Sequence, residues 1–155
     1  MNPERFDVFE KDLNSGFSKS ASDKSLSDFD VAPFCRVVID GDLERARDSL
    51  RDYFALYIGG MGARDKNFYN DYVCSLGYEA MAKEVQDLYL DGNRKEAAGK
   101  IADDFIDEVA LVGPPARIQD RLQAWTHAGA QGQVGTLIVF APNIDSIRLL
   151  AETVL

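Results

Sequence analysis

"VALVGPPARIQDRLQAWTHAGAQGQVGTLIVFAPNIDSIRLLAETVL", residues 109–155, decides the fold class because it combines helical and extended patterns in one short segment. A helix is predicted to begin at Pro114 or Pro115, since proline suits the first position of a helix. Gly129 is predicted to end this helix. Three residues at helical spacing form its apolar face: Ile118, Leu122 and Trp125.

A strand and a second helix are predicted to follow. The run VGTLIVF, residues 134–140, is nearly continuously apolar, which is typical of strands buried on both faces of a parallel sheet. Pro142 and Asn143 then begin a final amphipathic helix with an apolar face of Ile144, Ile147, Leu150, Ala151 and Val154. Helix, glycine turn, buried strand and helix form the repeat of an α/β barrel or a doubly wound sheet. The buried strand needs neighbours on both edges, and the candidates are residues 31–39 and 108–112.

Residues 1–30 are predicted to form a helix and a polar loop. Asn2 followed by Pro3 predicts the start of a helix over residues 3–16, with one apolar face of Phe6, Phe9, Leu13 and Phe17. Residues 18–30 are rich in Ser and Asp, which favours a loop. The run VAPFCRVVI, residues 31–39, precedes the turn DGD and predicts a strand that is apolar on both faces apart from Arg36.

Residues 42–106 are predicted to be almost entirely helical. Asp42 can cap a helix that Gly59 and Gly60 end. Residues 68–76 and 78–90 predict two further helices, and RKEAAGKI predicts a short one before the acidic turn ADDFIDEV. The chain is therefore expected to be α/β and predominantly helical.

Length and composition limit the possible functions. The 155 residues favour a single domain over residues 1–155, and 46 % hydrophobic residues are ordinary for a globular protein. A net charge of −9 argues against nucleic-acid binding, which depends on clustered Lys and Arg. The lack of a long apolar run and the charged N-terminus predict a cytoplasmic protein with no membrane contact. Cys35 and Cys74 lack disulfide or metal spacing and are expected to be core thiols.

The stretch YIGGMGARDKNFYNDYV, residues 57–73, is the candidate ligand-binding loop. In a functional interpretation, glycine amides and nearby cations hold a phosphate or carboxylate. The residues assigned to a cofactor site are Gly59, Gly60, Gly62, Arg64, Lys66 and Asn67. In a structural interpretation, the glycines end one helix and Asn67 or Asp65 caps the next. That interpretation makes core residues of Phe68, Tyr69 and Tyr72.

Two other features could carry chemistry. His127 lies in the last turn of a predicted helix, where the helix dipole favours it, and no second His or nucleophile motif accompanies it. The carboxylates of DDFIDE, residues 103–108, could imitate a metal cluster, but their spacing fits no EF-hand loop. A solvated helix start is the favoured interpretation, so neither a catalytic residue nor a metal site is predicted.

Several separated motifs resemble, in the same order, those of the luciferase-like monooxygenase superfamily. They are ERFDVFE, DVAPFCRVVIDGDLERARDSL, the loop YIGGMGARDKNFYNDYV, VALVGPPARIQDRLQAW and the final strand and helix. The sequence is most similar to the actinobacterial branch described as oxidoreductases dependent on the deazaflavin coenzyme F420. The resemblance covers residues 3–154 and only the C-terminal part of the family fold. It implies an incomplete TIM (β/α)8 barrel, because a complete barrel takes about 250 residues.

The resemblance also implies an arrangement of segments. Residues 31–106 would form a strand and a helical insertion, and residues 107–155 would form the last helix, strand and helix of the barrel. Residues 134–140 would be the eighth strand. The turn GAQGQVG, residues 129–135, is longer than the family's turn into that strand.

The implied activity is hydride transfer between reduced F420, or the flavin FMN, and an organic substrate in the complete enzyme. Loops after several barrel strands build such a pocket, so the chain alone is expected to be inactive and not to bind the cofactor. The alternative is a non-catalytic helical interaction module or a gene remnant. An exposed apolar patch is expected to favour self-association or pairing with a complementing N-terminal half of the barrel.

Overall fold

The computed structural model describes residues 1–20, 23–141 and 143–154, and their contacts group into two compact units. The first unit contains residues 1–42 and 109–155, and the second contains residues 43–108. The single domain expected from the sequence, with segments ending at residues 30 and 106, stays a prediction. Ala21 and Ser22 of the predicted polar loop, and Pro142 before the last helix, lie outside the described residues.

The described residues form α-helices and a small sheet. The strands are β1 Phe34–Ile39, β2 Ala110–Gly113 and β3 Ile138–Phe140. The α-helices are α1 Asp7–Lys19, α2 Leu43–Ala55, α3 Phe68–Ser75, α4 Glu79–Leu90, α5 Arg94–Gly99, α6 Asp103–Val109, α7 Pro115–Ala130 and α8 Ile144–Val154. Among these described helices, none combines the length and the hydrophobicity that crossing a bilayer requires. The predominantly helical α/β class is confirmed.

The first unit is built on a parallel sheet in the order β2-β1-β3. In the register, Arg36 of the central strand lies beside Ala110 on one side and Phe140 on the other. One face of the sheet, with Cys35, Val37 and Leu111, packs on α7 and α8. The helix residues in this core are Ile118, Leu122, Trp125, Ala128 and Leu150. The predicted apolar face of α7 is therefore confirmed.

The prediction for residues 134–140 is wrong in length, burial and position. Only Ile138–Phe140 forms a strand, all three residues are exposed, and β1 rather than β3 has neighbours on both edges. Residues before β3 are held outside the ladder, because the amides of Gly135 and Thr136 both donate to the carbonyl of Val31. The Thr136 hydroxyl also donates to Asp30 at 2.8 Å.

Two other elements of the first unit differ from the expectation. Strand β1 begins at Phe34 instead of residue 31, and its faces are unequal because Cys35 and Val37 are buried while Phe34 is exposed. Helix α8 packs through Leu150, as predicted, and through Ser146, which the prediction did not include. Three residues of that predicted face are exposed: Ile144, Ile147 and Val154.

The N-terminal helix exists but is shifted along the chain. Residues Pro3–Arg5 form a 3₁₀ turn, and Asn2 caps it by accepting a hydrogen bond from the amide of Glu4 at 2.9 Å. Helix α1 then runs to Lys19, three residues beyond the predicted end. The predicted cap is confirmed, while the predicted start was too early because proline and its neighbours take the tighter turn.

The second unit is mostly helical, as predicted. Helices α3 and α4 agree with the predicted segments to within one residue at each end, and Gly77 lies between them at φ 96°. The acidic turn predicted for residues 102–109 is wrong, since Asp103–Val109 forms helix α6. Asp103 and Asp104 lie in the first turn of α6, where negative charge is favourable.

The core between α7 and the sheet should be sensitive to the loss of a single side chain. Leu122→Ala should lower the free energy of unfolding by about 2–5 kcal/mol, since Leu122 is fully buried. Ile144→Ala removes a similar side chain that is 64 % exposed, so it should change the free energy of unfolding by only about 0.5 kcal/mol. Urea unfolding followed by circular dichroism measures both. Equal losses in the two variants would contradict the assigned core.

The thiol of Cys35 should make stability depend on alkaline pH. Burial raises the pKa of Cys35 from 9.0 to about 11, so the folded form holds this proton more tightly than the unfolded chain. The contribution of the Cys35 thiol to the free energy of unfolding is complete below pH 9. It is lost as the pH rises to 11, by up to roughly 3 kcal/mol. The free energy of unfolding should therefore fall more between pH 8 and pH 11 for the native chain than for Cys35→Ala. Parallel declines in the two proteins would refute this role.

Candidate functional site

The candidate loop connects α2 to α3 within the second unit. Helix α2 continues into a π-helical turn, Leu56–Gly60, and the amide of Lys66 then donates to the carbonyl of Ala63 at 3.0 Å. Asp65 adopts a left-handed backbone conformation at φ 66°, which a short polar side chain tolerates. The loop is thus a turn closed by its own hydrogen bonds.

The loop glycines are required by close packing. A Cβ atom on Gly59 would lie 2.4 Å from Cβ of Tyr89 on α4, and one on Gly60 would lie 2.4 Å from the Tyr89 ring. A Cβ atom on Gly62 would lie 2.3 Å from the carbonyl oxygen of Lys66. These glycines therefore allow α4 and the turn to approach the backbone.

Asn67 joins the end of one helix to the start of the next. Its side chain is buried, and its amide nitrogen donates to the carbonyls of Tyr57 at 3.0 Å and Ile58 at 2.9 Å. Its carbonyl oxygen accepts from the backbone amides of Tyr69 and Asn70, at 3.0 and 3.3 Å. Asn67, rather than Asp65, is the cap of α3, and its side-chain hydrogen-bonding groups are used inside the unit.

Asn70 is a connecting residue that the sequence analysis missed. Its amide nitrogen donates to the carbonyl of Ile58 at 3.2 Å and to that of Ala82 at 2.9 Å. It thereby ties the π-helical turn to α4. The sequence signal for this role was a polar residue within a predicted helix. The acceptors of Asn70 could not be predicted, because they lie twelve residues before and twelve residues after it.

The two cations of the loop do not converge. Arg64 forms an ion pair with Asp87 of α4, and Lys83 binds the same carboxylate at 2.6 Å. Lys66 is exposed. Lys66 is therefore the loop cation available to an external anion, whereas Arg64 is held on the helix.

Aromatic rings form a continuous row beside the loop. Tyr57 contacts Tyr53 and Tyr69, with ring centroids 4.5 and 4.7 Å apart, and Tyr69 contacts Phe68 at 5.6 Å. Phe68 is 75 % exposed and Tyr69 is also exposed, so the expectation that these two are core residues is wrong. They lie in the first turn of α3 and pack on each other's rings instead of entering the core.

The geometry fits a helix connection better than a complete cofactor site. Within the described part of the loop, the glycines meet α4 or the turn itself, Arg64 is paired, and Asn67 is a cap. The exposed side chains of the loop include Met61, Asp65, Lys66 and the ring of Phe68. These groups alone do not surround a deazaflavin or flavin ring. The assignment of the six loop residues to a cofactor site stays a prediction.

The acidic segment of α6 is used in ion pairs. Arg47 of α2 makes two contacts with Asp107, from Nε at 3.1 Å and from Nη2 at 2.5 Å. Arg51 pairs with Asp103 and with Asp48, and also donates to the carbonyl of Ile101. The pKa of Arg47 is raised, and its hydrogen bonds to Asp107 are the main cause. In the described ranges, no group of three or more His, Cys, Asp or Glu is placed to hold a metal ion.

His127 and the two thiols show no catalytic arrangement in the described chain. A ring nitrogen of His127 lies 2.9 Å from the side-chain nitrogen of Gln131, at the end of α7. Burial raises the pKa of both Cys35 and Cys74, so both thiols stay protonated at neutral pH. Cys35 is a core thiol as predicted, whereas Cys74 is only half-buried.

Comparison with known proteins gives similarity over nearly the whole chain. The family described as luciferase-like monooxygenase matches residues 2–132. A Mycobacterium tuberculosis protein that carries the name of a coenzyme F420-dependent oxidoreductase is 31 % identical over 153 residues, which is 99 % of this chain and 43 % of that protein. The 5,10-methylenetetrahydromethanopterin reductase of Archaeoglobus fulgidus is 20 % identical over 154 residues, which is 99 % of this chain and 45 % of that reductase.

A solved structure has a similar fold. It is the coenzyme F420-dependent tetrahydromethanopterin reductase from Methanopyrus kandleri, with a TM-score of 0.66 and 23 % identity. The match covers 99 % of this chain and 42 % of that one. The chain thus spans less than half the length of each of these relatives.

Alanine substitutions at Gly59, which contacts Tyr89, and at Gly16, which lies in open space, should change stability in opposite directions. Gly59→Ala should destabilise the fold, because the added Cβ would meet the Cβ of Tyr89, which cannot rotate away. Gly16→Ala, inside α1 and with no atom within 4 Å of the added Cβ, should stabilise it by roughly 0.5–1 kcal/mol. Thermal unfolding of the two variants compares them. A Gly59→Ala protein as stable as Gly16→Ala would disprove the close packing.

Proposed function

Because this chain belongs to the luciferase-like monooxygenase family, we propose that it is part of a coenzyme F420-dependent oxidoreductase. The observation that carries the proposal is the 31 % identity, over 99 % of the chain, to a protein named for F420-dependent oxidation and reduction. F420 is favoured over FMN as the cofactor because both that protein and the similar solved structure carry F420 in their names. The reaction class is hydride transfer between reduced F420 and an organic substrate.

The chain supplies a part of the barrel rather than all of it. The sheet of the described residues has three strands where a TIM barrel has eight, and the chain spans under half the length of its relatives. Barrel enzymes bind their ligands at the face formed by loops from several different strands. We therefore expect the isolated chain to be inactive and not to bind F420. The reduced deazaflavin itself supplies the hydride once the complete barrel holds it.

The loop from Gly59 to Asn67 is proposed as the edge of that pocket. Its glycines and Asn67 hold the backbone of the turn in place by packing and hydrogen bonding. Lys66 is then presented to solvent on a fixed turn, which suits a contact with an anionic group. The role proposed for Lys66 is therefore binding, and no residue of the chain is assigned to proton or hydride transfer.

A second candidate function is a non-catalytic interaction module. The exposed apolar residues of β1 and β3 favour it, since large exposed patches mark interaction sites. The two functions differ in one measurable property, which is whether the residues of this chain contribute to F420 binding.

A chimera separates these possibilities. The 155 residues would replace the matching 43 % of the Mycobacterium tuberculosis relative within one covalent polypeptide. Titration with F420, followed by absorbance, should show saturable stoichiometric binding to the chimera and none to the isolated chain. The unmodified relative is the positive control. A folded chimera that does not bind while the relative does would refute the proposal.

In the same chimera, Lys66→Ala should weaken F420 binding by about tenfold, through loss of one charge-assisted contact. Lys95→Ala, which removes another exposed lysine, from α5, should leave the affinity within about twofold. If both variants bind equally well, the loop is only a helix connection.

A further inference from the structure

Lys66 and Phe68 are exposed on either side of the buried cap Asn67. The backbone of Asn67 is extended, with φ −125° and ψ 102°. Asn67 is 2 % exposed, whereas Phe68 is 75 % exposed and Lys66 is also exposed. Burial thus alternates along this short segment as it does along a strand with one face in a core. Both flanking side chains therefore point away from the interior of the second unit.

The backbone that carries these two side chains is held in one conformation. The side chain of Asn67 donates to two carbonyls of the π-helical turn and accepts from two amides of α3. Gly62 packs on the same segment, because an added Cβ would lie 2.3 Å from the carbonyl oxygen of Lys66. A ligand bound here does not have to order the loop first, which lowers the entropic cost of binding.

Phe68 offers an aromatic surface at the end of the row of rings. Its ring meets that of Tyr69 edge to face, with centroids 5.6 Å apart and an angle of 77° between the planes. Tyr69 in turn packs on Tyr57 at 4.7 Å. The Phe68 ring is therefore supported by its neighbour while most of its surface stays open. Such a ring buries a large apolar area when the ring of a ligand covers it.

Lys66 places a positive charge beside this ring. The Cα atoms on the two sides of an extended residue are about 6.6 Å apart, so the long stem of Lys66 can bring its ammonium group next to a ligand that lies on Phe68. Within the described ranges Lys66 forms no ion pair, whereas Arg64 is bound to Asp87. The ammonium group is therefore available to a carboxylate or a phosphate.

A cation and an exposed ring also meet in the first unit, but there they contact each other. The guanidinium of Arg36 lies 4.4 Å from the centre of the Phe140 ring, so each group already occupies the other. In the described part of the loop, Lys66 makes no such contact with Phe68. The loop pair is thus the better site for an external ligand.

We propose that Lys66 and Phe68 form one site for a ligand that carries an anionic group on an aromatic ring. The ring lies on Phe68, and the anionic group binds the ammonium of Lys66. The identity of the natural ligand rests on the proposed function, since both the cofactor and the organic substrate of such an enzyme can present this chemistry. The site itself lies within the second unit, so it is testable on this chain without F420.

The probe is 2-naphthoate, titrated into the isotope-labelled 155-residue chain and followed by NMR of the backbone amides. Saturable shifts should centre on residues 66–69, with a Kd on the order of 1 mM because only two contacts are made. Naphthalene-2-methanol has the ring without the charge and should bind about fivefold more weakly. No saturable shifts at these residues, or equal affinity for the neutral probe, would overturn the inference.

Matched variants assign the two contacts. Phe68→Ala should weaken 2-naphthoate binding by about fivefold, and Lys66→Ala by about threefold. Phe34→Ala and Lys95→Ala, which remove another exposed phenylalanine and another exposed lysine, should leave the affinity within about twofold. Equal losses in the control variants would show that the probe binds without a defined site, against the inference.

Asp65 tests the sign of the ligand charge. This exposed residue has φ 66°, a conformation that asparagine also tolerates, so Asp65→Asn should preserve the turn. The substitution removes a negative charge next to Lys66 and should strengthen 2-naphthoate binding by about twofold. An unchanged or lower affinity would argue that no anionic group binds beside the turn.

In the chimera, Phe68→Ala separates the two natural ligands. Weaker F420 binding would identify the cofactor as the ligand of this site, and unchanged F420 binding would identify the organic substrate. A chimera that fails to bind F420, while the 155-residue chain binds 2-naphthoate as expected, would count against the proposed activity and support this site.

Discussion

The pairing of β1 with a strand on each side is the interaction on which the first unit depends. Segments distant in sequence, residues 110–113 and 138–140, meet only because β1 offers hydrogen bonds along both edges. Once the strands are paired, Cys35, Val37 and Leu111 form one apolar surface that α7 and α8 cover. Burial of that surface is the main stabilising contribution, since it removes apolar area from water.

Several polar groups of the second unit find their partners inside it. Arg47 and Arg51 bind the carboxylates of α6, while Asn67 and Asn70 bind carbonyls of the π-helical turn and of α4. Buried polar groups cost free energy unless they are paired, so each of these contacts also fixes one geometry. The turn that presents Lys66 is consequently well defined.

Family membership and the small sheet are the grounds on which the proposed activity is assigned to more than the described residues. The cofactor of a luciferase-like enzyme is proposed to lie where many strands end, and three strands form only a part of such a wall. The same shortage of strands leaves apolar residues of β1 and β3 exposed. The proposed need for further strands around the cofactor and the exposed apolar residues thus both follow from the small size of the described sheet.

The sequence by itself determined the local elements of this protein. Helical spacing identified the buried face of α7, because it depends on neighbours within about one turn. Residue types likewise identified the cap at Asn2 and restricted the cap of α3 to Asp65 or Asn67. Only the tertiary structure decided which strand is central, why β3 is short and exposed, and which carboxylates pair with Arg47 and Arg51. The same holds for the loop, where the glycines were visible in the sequence but Tyr89 was not visible as the side chain that requires them. Those outcomes depend on contacts between residues tens of positions apart, and no local pattern specifies which distant segment will occupy a given edge or face.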